Sequence, residues 1–149
     1  MDKPKVAIII PNYNKAKYLS ECINSVLSQT YDNIEIIIVD DHSSDQSNTL
    51  KKYTKKHQNI HYYILPKNHG VSYARNYGAK QTDADYLVFL DSDDVYINKD
   101  KIKNEVSIIS QNKVYYSQWV PMDIKGNILI HTIVNFQKNR RLQYTAILL

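Results

Sequence analysis

Cysteine is almost missing from this chain of 149 residues, because Cys22 is the only one. A single cysteine excludes a disulfide within the chain and is typical of a reducing compartment, and we expect Cys22 to lie in the core. The sequence also lacks an apolar stretch near the ~20 residues that a membrane helix needs, and the segment before Pro11 is too short for the apolar region of a signal peptide. These absences predict a cytoplasmic location.

Repeats, low-complexity tracts and linkers are missing as well. The composition, with 43% hydrophobic and 23% charged residues, is that of an ordinary folded domain. The formal net charge of +4 is a mild bias, and its only notable cluster is KNRR at residues 138–141. Four residues are too few to indicate a nucleic-acid partner, although they leave peripheral contact with an anionic membrane as a hypothesis.

Four short apolar runs alternate with segments of helical periodicity. The first run lies between Pro4 and Pro11 and is continuous, which is typical of a strand buried on both faces. The predicted strands span residues 6–10, 34–39, 60–65 and 86–90, and the predicted helices lie around residues 19–27, 50–57, 71–80 and 99–111. This alternation predicts an α/β fold with a mostly parallel sheet, right-handed crossovers and helices on both faces.

Three polar loops directly follow predicted strands: PNYN, DDHSSD and DSDD. Asn14, in the first loop, is placed to cap the helix that follows. The carboxyl ends of parallel strands share one edge of a sheet, and ligands bind there near the point where the strand order reverses. The three loops therefore predict one site rich in carboxylates.

Asp91 and Asp93 are the strongest candidates for metal ligands. If the extended geometry continues through Ser92, the two carboxylates point to the same side and Asp94 points elsewhere. Carboxylates held that close repel one another unless a cation or a proton intervenes. A polar turn is the structural alternative, and the convergence of the three loops favours a site for Mg²⁺ or Mn²⁺.

The pattern changes after residue 112. Residues 114–131 predict a β-hairpin with its turn at residues 125–127 and Trp119 in its core. Asp123 is the last carboxylate of the chain, and we expect it to belong to this turn. Two loop histidines, His42 and His69, lack a matching set of metal ligands, so we expect them to face solvent or to form hydrogen bonds.

Three segments in this order resemble the N-terminal part of a family 2 glycosyltransferase with the GT-A fold. They are VAIIIPNYNKAKYLSECINSVLSQTYDNIEIIIVDDHSSD, NHGVSYARNYGAK and YLVFLDSDDVY, and they cover residues 5–96. The resemblance implies a Rossmann-like sheet that binds a nucleotide-sugar donor within residues 1–112. Residues 113–149 are then the hairpin and the start of an apparently incomplete acceptor side.

The resemblance also implies a role for each site residue. Pro11 and Tyr13 would lie against the nucleobase, and Asp41 would accept a hydrogen bond from uracil, with Asp40 as a further donor-binding candidate. The other implied site residues are Arg75 near the phosphates, Asp91 near the ribose and the metal, and Asp93 on the metal. The implied reaction is metal-dependent, inverting transfer of a sugar, usually from a UDP-sugar, to a glycan or another acceptor hydroxyl.

The general base is not identified in the sequence, which leaves three interpretations open. In the first, the chain is a truncated glycosyltransferase. In the second, a partner chain or the substrate supplies the base. A third is a non-catalytic module that binds nucleotide or assembles with itself, since an apolar terminus favours homo-oligomers. A signalling receiver domain is less consistent with the sequence, because the paired acids of that family follow the first strand and those of this chain follow the second.

Overall fold

A computed structural model describes residues 3–109, 114, 120–123, 125 and 127. The chain divides into two units, Met1–Ser110 and Gln111–Leu149, and all helices and strands described below belong to the first. No helix in the described ranges is long and apolar enough to cross a membrane.

The first unit alternates strands and helices along its length, as the sequence predicts. A short 3-10 helix, Gln46–Lys51, leads directly into the second α-helix. The elements in chain order are β1 (Val6–Asn12), α1 (Ala16–Leu27), β2 (Ile34–Asp40), α2 (Lys52–Lys56), β3 (Ile60–Ile64), α3 (Val71–Ala79), β4 (Tyr86–Phe89) and α4 (Lys101–Ile108). The weakest predicted helix, around residues 50–57, is therefore the end of this 3-10 helix followed by one short α-helix.

The four strands form one parallel sheet in the order β3-β2-β1-β4. In the register of β1 and β2, Val6 lies opposite Ile34 and Asn12 lies opposite Asp40. All seven residues of β1 are buried, which confirms that this strand is covered on both faces. The α/β architecture predicted from the sequence is confirmed.

Two apolar layers cover the two faces of the sheet. Alternate residues of β1 point to opposite sides: Ile8 belongs to the cluster that contains α1 and α4 residues, and Ile9 belongs to the cluster that contains Ala74 of α3. Cys22 is fully buried in the first cluster, as predicted, and burial raises the pKa of its thiol far above the usual range. Helices on both faces of the sheet are therefore confirmed.

Gly78 lets helix α3 approach the sheet closely. A Cβ atom at this position would lie 2.6 Å from Cγ2 of Ile9 and 3.1 Å from Cγ2 of Val39, and both side chains are fully buried. The close approach of α3 to β1 and β2 therefore requires a residue without a Cβ atom at position 78.

We expect Gly78→Ala to destabilise the fold by about 1–3 kcal/mol, because overpacking a tight core outweighs the gain in helix propensity. Chemical denaturation measures the change in the free energy of unfolding. Ser72→Ala is the matched control on the exposed face of the same helix, and we expect a change within about 0.5 kcal/mol. Stabilisation by Gly78→Ala would show that α3 does not pack as described.

Strand β4 is less buried than an apolar run suggests. Its four residues are only partly buried or exposed, and Phe89 is 40% exposed. Within the described residues β4 is the last strand of the sheet and pairs only with β1. An edge position leaves one side of a strand uncovered, which a short apolar run in the sequence does not reveal.

In the second unit, most residues of the predicted hairpin, Trp119 among them, lie outside the described residues. The Asp123 carboxylate accepts hydrogen bonds from the backbone N–H groups of Lys125 and Asn127 at 2.8 and 2.9 Å. The Asp123 N–H donates to the carbonyl oxygen of Asn127 at 2.9 Å. These bonds build a turn around Asp123, in agreement with the role expected for it.

Candidate functional site

The candidate site lies at the carboxyl edge of the sheet, where the strand order reverses. β1 has β2 on one side and β4 on the other, so the chain leaves β1 in one direction and later returns on its opposite side. In open parallel sheets such a switch point opens a crevice for ligands. The three predicted loops follow β1, β2 and β4 and meet at this edge.

Hydrogen bonds join the loop after β1 to the loop after β2. The Ser43 hydroxyl accepts from the backbone N–H of Asn14 at 2.9 Å and from the side-chain amide of Asn12 at 3.2 Å. The Asn14 side-chain oxygen accepts from the backbone N–H of Ser44 at 2.8 Å. Two loops far apart in sequence therefore form one rigid rim.

Asn14 does not cap helix α1, in contrast to the prediction. Its φ of 53° turns the chain before the helix, and its side chain bonds the neighbouring loop instead. Asp45 takes the capping role, since its Oδ2 accepts from the N–H of Ala16, the first residue of α1, at 2.9 Å. A cap from a remote loop leaves no local signature in the sequence.

Asp45 gives the fold a pH-dependent contribution to stability. Burial opposes ionisation of Asp45, but hydrogen bonds from Ser47 and Ala16 outweigh it and lower the pKa below 3.8. A lowered folded-state pKa stabilises the protein above the unfolded-state pKa, and this stability is lost as the pH falls through the folded-state value.

We expect Asp45→Asn to cost about 0.5–2 kcal/mol at neutral pH, since one of two accepting oxygens is lost. Denaturant unfolding at a series of pH values measures the difference from wild type, which should shrink as the pH falls below the lowered pKa. A difference that stays constant over that range would exclude Asp45 as the titrating cap.

Asp40 is buried, and both oxygens of its carboxylate accept hydrogen bonds from the protein itself. Its Oδ1 accepts from the N–H of Ser43 at 2.7 Å, and its Oδ2 accepts from the hydroxyl of Tyr62 at 2.6 Å. Burial, followed by the bond to Asp40, raises the pKa of Tyr62 far above its usual value. Asp40 therefore holds the loop after β2 in place and is not among the residues that line the cavity described below.

Asp41 is also buried, at 2% exposure, but its carboxylate bonds a different segment. Its Oδ1 accepts from the N–H of His69 at 2.8 Å, and its Oδ2 accepts from the N–H of Gly70 at 2.7 Å. Gly70 has a φ of 89°, a conformation that other residues rarely adopt. Asp41 thus fixes the loop between β3 and α3, and each of its oxygens keeps a second lone pair for a ligand.

A cavity of about 260 Å³ opens beside Asp41. The side-chain oxygen Oδ1 of Asn12, one of the lining residues, is buried and has no hydrogen-bond partner within the described part of the chain. Such an atom is costly unless a ligand or water satisfies it. The cavity is lined by Pro11, Asn12, Tyr13, Asp41, Asn68, Gly70, Val71 and Ala74.

Arg75 follows the cavity-lining Ala74 on α3 and reaches the loop after β4. One of its guanidinium nitrogens, Nη2, lies 2.5 Å from Oδ1 of Asp91. Its Nε is buried and without a hydrogen-bond partner among the described residues. Arg75 and Asp91 therefore connect the cavity to the acidic edge.

The extended geometry expected through Ser92 is not present. The N–H of Asp94 donates to the carbonyl oxygen of Asp91 at 2.9 Å, which closes a turn over residues 91–94. Aspartate and serine favour such turns, so the local composition of DSDD overrides the extension of the strand. The side chains of Asp91 and Asp93 reach two separate cations instead of facing each other.

Asp93 pairs with Lys15, whose Nζ lies 2.7 Å from Oδ2 of Asp93. The hydrogen bond to Asp93 is the largest cause of the raised pKa of Lys15. Next to this pair, burial and then the charges of Asp91 and Asp93 raise the pKa of Asp94 above 3.8. The charges of Asp91 and Asp93 therefore lie close enough to raise the cost of ionising Asp94.

The donor set at this edge fits a hard divalent cation that shares its ligands with a substrate. Among the described residues, no group of three or more histidine, cysteine or acidic side chains is arranged to hold a metal. Mg²⁺ in particular is commonly bound by one or two carboxylates together with phosphate oxygens. Asp93, whose side chain is 42% exposed, and Asp91 offer such carboxylates.

The structure also places the two histidines of the loops. His42 lies with its Nδ1 3.3 Å from the carbonyl oxygen of Leu65. The ring of His69 stacks on that of Tyr73 with the ring centroids 4.2 Å apart.

Sequence analysis did not identify five residues of the cavity or two residues of the rim. The cavity residues are Asn12, Asn68, Gly70, Val71 and Ala74, and the rim residues are Lys15 and Ser43. For Asn12, Lys15 and Ser43 the available signal was their position in or beside the three loops, whereas Asn68 lies in the loop between β3 and α3.

A parallel α/β sheet with an acidic switch-point edge is the architecture of a GT-A fold. Residues 7–147 match the model of Glycosyl transferase family 2. The chain belongs to this family, as its resemblance in sequence implied.

Several relatives are named glycosyltransferases. An uncharacterized glycosyltransferase of Haemophilus influenzae is 36% identical over 130 residues, which cover 85% of this chain and 52% of that protein. The putative teichuronic acid biosynthesis glycosyltransferase TuaG of Bacillus subtilis is 36% identical over 116 residues, or 77% of this chain and 46% of TuaG. The chain thus spans about half the length of these two relatives.

Two solved structures are similar to this chain in fold. TarS 1–349 of S. aureus in complex with UDP-GlcNAc is similar with a TM-score of 0.64 and 34% identity, covering 69% of this chain and 30% of the TarS chain. The mannosyltransferase PcManGT of Pyrobaculum calidifontis, in complex with GDP-Man and Mn²⁺, gives a TM-score of 0.70 at 22% identity, covering 76% and 34%. The latter likeness supports the GT-A fold alone.

Proposed function

We propose that this chain binds a uridine diphosphate sugar at the carboxyl edge of its sheet and donates the sugar to an acceptor hydroxyl. The observation that carries the proposal is the buried Asp41 carboxylate, which is fixed by two backbone N–H groups beside a cavity. The likeness to TarS, a protein solved in complex with UDP and with UDP-GlcNAc, supports uridine as the nucleoside.

The cavity provides the site for the nucleobase. Uracil carries one ring N–H donor between two carbonyl acceptors, and Asp41 offers a fixed acceptor for that N–H. Tyr13, 50% exposed at the mouth, can stack on the base, and Pro11 closes one wall. The unsatisfied oxygen of Asn12 can accept a hydrogen bond from a donor group of the nucleoside.

The acidic edge provides the site for the diphosphate. Arg75 holds its charge beside Asp91 and can offset phosphate charge, and Asp93 with Asp91 would hold a Mg²⁺ or Mn²⁺ ion. When bound, such an ion acts as a Lewis acid that stabilises the departing diphosphate. Because the leaving group gains negative charge as the glycosidic bond breaks, Arg75 stabilises the transition state more than the ground state.

Transfer with inversion at the anomeric carbon is part of the proposal and follows from the family resemblance. It requires a base that takes the proton of the acceptor hydroxyl. Asp123 is the last carboxylate of the chain, and its oxygens hold a turn. The acceptor, the cytoplasmic location, membrane contact and self-association remain predictions from the sequence.

The test is the nucleotide selectivity of the purified chain in Mn²⁺, measured by calorimetric titration with UDP, UMP, GDP and ADP. We expect UDP to bind most tightly, since it fits both the base cavity and the acidic edge. UMP, which lacks the second phosphate, should bind more weakly. Equal affinity for all four nucleotides would refute the proposal and favour an unselective nucleotide-binding or assembly module.

A further inference from the structure

Two cations of the chain already pair with the DSDD carboxylates, and they are held differently. Arg75 is 24% exposed, and its Nε atom is buried. Lys15 is 42% exposed and reaches Asp93 through its terminal Nζ. Lys15 is therefore the cation that can leave its carboxylate at lower cost.

The backbone of Lys15 is fixed although its side chain is exposed. Its carbonyl oxygen accepts from the N–H groups of Tyr18 and Leu19 at 2.9 and 3.0 Å, in the first turn of α1. The ammonium group can consequently leave Asp93 by rotation of the side chain alone. No hydrogen bond of the helix has to break.

We propose that Lys15 is an internal counter-ion of Asp93 that makes binding of the divalent cation depend on the donor. A free cation that binds Asp93 must first displace the Lys15 ammonium group and lose that ion pair. A cation that arrives with a diphosphate brings oxygen ligands of its own, and the added negative charge offsets the lost ion pair. This inference rests on the proposed function and concerns the order in which its ligands bind.

A counter-ion lowers the repulsion among the carboxylates of the DSDD loop. DSDD places three carboxylates within four residues, and like charges this close together repel one another. Before any ligand binds, Lys15 offsets part of this repulsion. Asp93 therefore has a positive partner before a metal ion binds.

The test is the affinity of Mn²⁺ for the full chain, measured by electron paramagnetic resonance of free Mn²⁺ with and without UDP. Lys15→Met removes the competing charge and keeps the length of the side chain. We expect Lys15→Met to bind Mn²⁺ about two- to fivefold tighter than wild type without UDP, as for loss of an exposed ion pair. By linkage, the enhancement of Mn²⁺ binding by UDP should fall by a similar factor.

Lys17→Met is the matched control. Lys17 and Lys15 lie over the same ring, with Nζ atoms 5.1 and 6.0 Å from the ring centroid of Tyr18, but no contact joins Lys17 to Asp93. Lys17→Met should bind Mn²⁺ like wild type. If the affinity for Mn²⁺ rose equally in Lys15→Met and Lys17→Met, the cause would be the change in net charge, and the proposal would be wrong.

Other outcomes separate this proposal from the proposed function. If Lys15→Met binds Mn²⁺ no more tightly than wild type while UDP binding still requires Mn²⁺, the counter-ion role is wrong and the donor site stands. If Lys15→Met tightens Mn²⁺ binding but no variant binds UDP, Lys15 does compete with the metal and the donor site is wrong. Absence of Mn²⁺ binding in wild type and Lys15→Met alike overturns both.

Discussion

Asp41→Ala is expected to abolish detectable UDP binding and to destabilise the fold by about 2–5 kcal/mol. The N–H groups of His69 and Gly70 donate to this buried carboxylate, and each buried donor left unsatisfied costs about 1–3 kcal/mol. The same substitution removes the acceptor proposed for the nucleobase. Urea denaturation and calorimetric titration with UDP and Mn²⁺ measure the two effects.

Loss of folding must be separated from loss of the ligand contact. Asp41→Asn keeps the size of the side chain and one accepting oxygen, so the variant should stay folded at low temperature but still bind UDP poorly. Near-ultraviolet circular dichroism measures whether the variant is folded. Asp32→Ala, which removes an exposed carboxylate paired with Lys3, should leave UDP binding unchanged. A folded Asp41→Asn variant with wild-type UDP affinity would disprove the role of Asp41 in base recognition.

Arg75→Met is expected to weaken binding of UDP with Mn²⁺ by about 10- to 150-fold, the loss that follows when charge-assisted hydrogen bonds worth 1.5–3 kcal/mol are removed. Methionine keeps an apolar stem beside α3 but leaves Asp91 without its cation. The carboxylates of the loop then repel one another and the incoming phosphates. Calorimetry at fixed Mn²⁺ concentration gives the affinities.

Two further variants distinguish a specific role of Arg75 from an effect of overall charge. Arg75→Lys keeps the charge and loses the planar fork, so we expect an intermediate affinity. Lys80→Met removes an exposed positive charge just beyond the end of α3 and should bind UDP like wild type. If Lys80→Met weakens UDP binding as much as Arg75→Met, the effect is one of overall charge and Arg75 has no specific role.

The architecture could be predicted because its signals are local and strong. The aliphatic run of β1 between Pro4 and Pro11 is too short for a helix and lacks polar positions, which leaves a strand buried on both faces. Parallel pairing then requires the loops that follow β1, β2 and β4 to meet at one edge. The sequence alone therefore predicted the sheet, the helices on both faces and the edge at which the three loops meet.

Contacts between remote residues could not be predicted in the same way. Asp40 and Asp41 are identical in type, yet strand alternation turns one toward Tyr62 and the other toward Gly70. Asp45 caps a helix that begins 29 residues earlier. The edge position of β4 depends likewise on packing that periodicity does not encode, whereas the turn at residues 91–94 follows from the local composition of DSDD.

Calorimetric titration of the chain with UDP, in Mn²⁺ and in EDTA, measures whether UDP binding depends on the metal ion. Wild type should bind UDP in Mn²⁺ and bind it much more weakly in EDTA. Asp93→Ala should bind weakly in both conditions, because the carboxylate that would hold the ion is lost while Asp41 and the cavity are retained. If UDP bound with equal affinity in Mn²⁺ and in EDTA, and Asp93→Ala left that affinity unchanged, no metal ion held by Asp93 would contribute to UDP binding.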